Sequence, residues 1–126
     1  MTDEAFMKLV DAGIDSIPRI DEWLKNVAIV VEDEPPAHIR AELEMEPAEI
    51  IFGLYEGVPQ SERGAGDDIV LPDKITIYKN HILAAYSDPD DIAACVANTV
   101  WHEVAHHLGY DEEWIEREEW RRGKWL

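Results

Sequence analysis

The stretch from Asp88 to Gly109, DPDDIAACVANTVWHEVAHHLG, limits the possible folds of this chain more than any other. Asp88 is a good helix cap, Pro89 suits the first helical position, and Asp91 completes an acidic first turn. No breaker follows until Gly109. From Ile92 to Leu108 the apolar residues cover most of the circumference of such a helix. A helix that is apolar nearly all round is stable only inside a domain. The rest of the chain must therefore be arranged to cover it.

The chain is long enough to close a single core, and its 126 residues predict one domain, 1–126. Hydrophobic residues make up 46%, which excludes disorder by composition. No apolar run approaches the ~20 residues that span a bilayer, and the acidic, amphipathic MTDEAFMKLV is unlike a signal peptide. Cys95 is the single cysteine, so no intrachain disulfide forms. These features predict a cytoplasmic protein with no membrane partner. With 28 acidic against 11 basic residues, the formal charge is −17. A polyanion of this kind repels a nucleic-acid backbone, so no nucleic-acid partner is expected. The acidity reads most simply as solvated faces, ahead of a surface for a basic protein.

Along the chain, Phe6, Leu9, Val10 and Ile14 recur at helical spacing behind a Thr2 cap. Pro18 opens a short helical piece carrying Ile20, Trp23 and Leu24. NVAIVVED, IIFGLYEG and KITIYKN read as strands. In KITIYKN, Ile75, Ile77 and Lys79 are expected to alternate against Thr76 and Tyr78. EPPAHIRAELE and HILAAYS read as short helices, and the tail DEEWIEREEWRRGKWL as a last one. GVPQSERGAGDDIVLPD reads as a loop. Strands and helices without regular alternation predict an α+β fold.

The buried helix carries a polar burden. His102 and His106, four residues apart, project from one face about 6 Å apart along the axis, a spacing that lets two imidazoles grip one ion. Glu103 lies about 100° round from His102. It is adjacent to such an ion rather than aimed at it, as suits a general base that takes a proton from water. Two imidazoles and a carboxylate on a buried helix are costly unless something satisfies them. Imidazole and carboxylate donors favour Zn2+ as the cofactor. A third ligand is needed. Gly109 can reverse the chain and fold the next segment back over the histidine face. Glu112 is the preferred third ligand, with Asp111 as the alternative.

These residues resemble the minimal-zincin family of small bacterial proteins described as zinc metallopeptidases. That family's motif is H-E-x-x-H-x-x-G-x-x-D. His102, Glu103, His106 and Gly109 match it, His107 matches the second histidine often found there, and Glu112 stands where the family usually has aspartate. NVAIVVEDEPP, GLYEGVPQSER and LPDKITIYKN follow that family's order of segments, so the likeness runs from about Phe6 to Trp114. The resemblance implies a compact fold with a small mixed β-sheet packed against the motif helix, flanking helices and an edge strand over the cleft. It also implies that the substrate-side lobe of larger zincins is absent.

The remaining candidates divide between chemistry and packing. His107 is either a partner behind the ligands or a packed histidine. Cys95 shares the His102 stripe but lies about 10 Å along the axis, too far to join the ion, and reads as core. His38 and His81 lack partners at metal spacing and read as surface. Arg63, Tyr78 and Tyr110 have the chemistry to stabilise an oxyanion, but each alone reads more simply as loop or packing. The tryptophans read as packing. The sequence thus predicts a zinc-dependent hydrolase acting on a peptide or protein, with the substrate extended along a sheet edge for which KITIYKN is the candidate strand. Its rival is a zinc-stabilised binding protein with little or no turnover. A third reading is an acidic decoy with a vestigial motif.

Overall fold

The computed structural model describes residues 1–17, 20–24, 26–57, 72–107, 113, 114 and 117. Its elements follow the order α1 (Asp3–Asp15), α2 (Ile20–Trp23), β1 (Val27–Glu32), α3 (Ala37–Glu42), β2 (Gly53–Glu56), β3 (Asp73–Tyr78), α4 (Lys79–Ala85) and α5 (Pro89–His107). Helices and a small mixed sheet make an α+β fold. The GVPQSERGAGDDIVLPD loop and the tail helix fall mostly outside the described residues.

Both long helices begin as their sequences dictate. The Thr2 hydroxyl accepts the Ala5 N–H at 3.1 Å, capping α1. The Asp88 carboxylate accepts the Asp90 N–H at 2.8 Å, capping α5 ahead of Pro89. Helix α5 then does what an all-round apolar helix must: Ile92, Val96, Val100, Trp101, Val104 and Ala105 are buried. Helix α1 lays Phe6 and Val10 against it. The crossing is close at Gly13, where an added Cβ would lie 2.5 Å from the Ala93 carbonyl oxygen.

The sheet order is β1-β3-β2, with β1 parallel and β2 antiparallel to β3. This corrects two expectations about KITIYKN. The strand is central, not an edge: residues 74–77 are paired on both sides. Burial also fails to alternate along it, because Ile75, Thr76, Ile77 and Tyr78 are all buried. A central strand covered on both faces loses the in–out pattern of a half-exposed one. Lys79 does not continue the strand. It opens α4, and its buried ammonium donates to the Asp3 carboxylate at the start of α1. Strand β2 is shorter than IIFGLYEG suggested and lies at the sheet edge. Among the described residues no further strand pairs with its outer side.

Candidate metal and substrate site

The motif helix places its residues as its periodicity requires. The His102 and His106 rings stand 4.9 Å apart between centroids, tilted by 54°. His102 is half-buried, His106 is exposed, and Glu103 is half-buried. The pair sits near the C-terminal end of α5, where the helix emerges from the core. Two imidazole nitrogens on one face suit a borderline divalent ion. Among the described residues no group of three or more His, Cys, Asp or Glu side chains gathers at one point, so the pair supplies two donors and needs another. Glu112 and Asp111 lie outside the described residues, as do Gly109, Tyr110, Arg63 and the side chain of His107. Trp114 is described: its ring stacks on Trp101, the neighbour of His102, at 5.7 Å and 13°.

Beside the pair lies a cleft of about 240 Å³. One wall is α5, through Asn98, Thr99, His102 and Glu103. The other is the chain entering β2, through Ile51, Phe52 and Gly53. Sequence periodicity gave no sign of this second wall, and three contacts fix it. The Tyr78 N–H donates to the Phe52 carbonyl at 2.9 Å. Gly53 lies so close to α5 that an added Cβ would be 2.7 Å from Thr99 Cγ2 and 2.9 Å from the Thr76 carbonyl oxygen. Only a residue without a Cβ allows this approach.

The third contact is made by His81, which corrects its assignment to the surface. His81 is buried, and its Nδ1 lies 2.9 Å from the Ile51 carbonyl oxygen. Arg40 Nη2 lies 3.4 Å from His81 Nε2. A guanidinium only donates, so this contact puts the lone pair on Nε2 and the proton on Nδ1, which then donates to Ile51. The other tautomer would accept the Ile51 N–H at 3.0 Å and forgo Arg40. Either way the imidazole holds backbone, not metal. The signal available in the sequence was its position, three residues past the end of a strand. His38, in contrast, is exposed as expected.

Cys95 and Tyr78 behave as core. Burial pushes the Cys95 thiol up to about 11, against a smaller opposing effect from its hydrogen bond with Thr99. Burial, helped by Glu32 and Glu56, pushes the Tyr78 phenol up to about 12. Tyr78 does not line the cleft, and Trp101 is buried in the core. Asn98 was overlooked by motif reasoning, being one helical turn before His102. Its Oδ1 is shut off from solvent with no hydrogen-bond partner among the described residues. Such a group costs about 1–3 kcal/mol.

A family model described as zincin-like metallopeptidase matches residues 24–121. The chain belongs to that family. This zincin-like chain is also similar to a solved structure, a conserved hypothetical protein from T. thermophilus, at 26% identity and a TM-score of 0.58. The alignment covers 92% of this chain and 99% of that one. No curated protein matches. Among the described residues of this zincin-like protein, no helix is long and apolar enough to cross a membrane.

Proposed function

We propose that this protein is a zinc-dependent hydrolase that cleaves peptide bonds. The observation that carries the reading is the pair of imidazoles 4.9 Å apart on one helix face, with Glu103 lining the same cleft as His102. His102 and His106 would hold the ion, with Glu112 as third ligand and Asp111 as the alternative. Support for a ligand from that segment comes from Trp114, which stands against Trp101 only two residues after Glu112. When bound, zinc lowers the pKa of water and polarises a carbonyl.

Glu103 acts as general base: its carboxylate takes a proton from the attacking water and passes it to the leaving amine. Gly53 and His81 act through position, fixing the wall that faces Glu103 across the cleft. The substrate lies extended along β2 rather than along KITIYKN, because β2 offers an edge where β3 does not. The reading further places the protein in the cytoplasm, acting as one domain on peptides or proteins and not on nucleic acid, in keeping with its single cysteine and its charge of −17.

The test pairs metal content with cleavage. Wild-type protein purified without a histidine tag should carry about one zinc per chain. It should cleave a mixed peptide library at sites read by mass spectrometry. Glu103→Gln should keep the zinc and lose the cleavage. A wild type that holds stoichiometric zinc and cleaves nothing would instead establish the zinc-stabilised binding protein.

A further inference from the structure

We infer that the cleft selects a peptide side chain with an apolar stem ending in an N–H donor, and that Asn98 Oδ1 is its acceptor. The inference rests on the peptide-hydrolase reading and names its substrate class. It begins with what each lining group has left to offer. Ile51 and Phe52 present half-buried apolar surface, and Gly53 presents bare backbone. The Thr99 hydroxyl is engaged with Cys95, and its methyl is the group nearest Gly53. His102 and Glu103 belong to the metal site and the base. That leaves Asn98, which faces the same cleft one turn before His102 and whose Oδ1 takes no hydrogen bond among the described residues.

Buried acceptors are normally satisfied, and an exception at a cleft calls for a ligand. The group that satisfies a carboxamide oxygen is a donor. Asn98 as a whole is only half-buried. The carboxamide must turn to present its oxygen to an occupant, and the broad terminal torsion of an asparagine allows it. A side chain that both covers the apolar surface of Ile51 and Phe52 and reaches Asn98 is a long one rather than serine or threonine. Glutamine and lysine share this chemistry. The charge of −17 favours lysine in the encounter.

The experiment measures binding, so it does not depend on turnover. Zinc-loaded Glu103→Gln protein is titrated with fluorescent alanine octapeptides that differ at one central residue: glutamine against methionine, and lysine against norleucine. At least one donor peptide should bind about tenfold more tightly than its apolar counterpart. Adding Asn98→Ala should shrink that ratio to about twofold or less. Asn98→Asp, which keeps an acceptor, should restore it, most strongly for lysine. The lysine and glutamine arms assign the donor as cation or amide.

Asn98→Ala should also keep or raise its thermal midpoint, because the oxygen gives up no bond and a buried unsatisfied acceptor is removed. A set of peptides bound without discrimination, or not bound, overturns the inference. So does a preference that survives Asn98→Ala, or an Asn98→Ala protein that fails to fold. If the wild type cleaves nothing while the donor preference stands, the hydrolase reading falls and Asn98 recognition remains.

Discussion

His81 and the His102–His106 pair set one chemical group in two different surroundings. The pair stands where α5 leaves the core, on one face of a single helix, with one ring half-buried and the other exposed. His81 is buried on α4, between Arg40 and the backbone of Ile51. Two imidazoles of which one lines a cleft and the other is exposed are open to a metal; a buried ring held between backbone and guanidinium is not. Spacing along the helix identified the pair because both members belong to one element. His81 gains its role from Ile51, thirty residues earlier, and no local pattern records that.

The sharpest way to break the contrast is to exchange the losses. His106→Ala should abolish stoichiometric zinc and, with it, any cleavage, while metal-free stability moves by no more than about 0.5 kcal/mol, as expected for an exposed side chain. Atomic absorption and urea unfolding read the two quantities. Glu103→Gln should retain zinc and reduce the rate of cleavage about 10²–10⁴-fold. A variant that lost zinc as well would make Glu103 part of the metal cage.

His81→Ala should do the reverse of His106→Ala. Urea unfolding should show a loss of about 1–3 kcal/mol, since a buried backbone group loses its partner, and zinc stoichiometry should hold. Zinc lost along with the His81 ring would erase the distinction. Gly53→Ala sharpens it, because the new Cβ would push the same wall away from α5. A cost of about 1–3 kcal/mol is expected, with partial recovery in Gly53→Ala/Thr99→Ser, where Cγ2 is gone but the Thr76 carbonyl remains.

The smallest effect lies far from the cleft. The Asp3 carboxyl is held below its ordinary value of 3.8, first by its hydrogen bond from Lys79 and then by that cation's charge. A depressed carboxyl contributes stability that is fully present above its unfolded value and lost as pH falls through the folded one. Asp3→Asn should therefore flatten the acid limb of a pH–stability curve below about pH 4 and leave zinc content at neutral pH unchanged.

Much of this arrangement was legible beforehand. The caps at Thr2 and Asp88, the three strands and the burial of α5 follow from rules acting within about one turn or one pleat. The histidine pair does too, because four residues of helix fix its geometry whatever surrounds it. The cleft was less legible. IIFGLYEG read as a strand, yet Ile51 and Phe52 leave the ladder to form a wall, and Gly53 gave no local hint of its contact with Thr99. KITIYKN looked like a half-exposed strand because Thr76 and Tyr78 are polar enough to suggest a wet face. Their burial depends on what covers the sheet, which alternation alone does not encode. Lys79 turned from strand to helix and found Asp3 at the start of α1, far away in sequence.

The sequence by itself determined the helix, its caps, its buried character and the two imidazoles on one face, because each depends on neighbours a few residues away. The tertiary structure decided which strand lies at the edge, what faces Glu103 across the cleft, and that His81 serves the backbone. Those features depend on which distant segments come into contact. Their energies come from burial and from hydrogen bonds between parts of the chain that only the closed fold brings together.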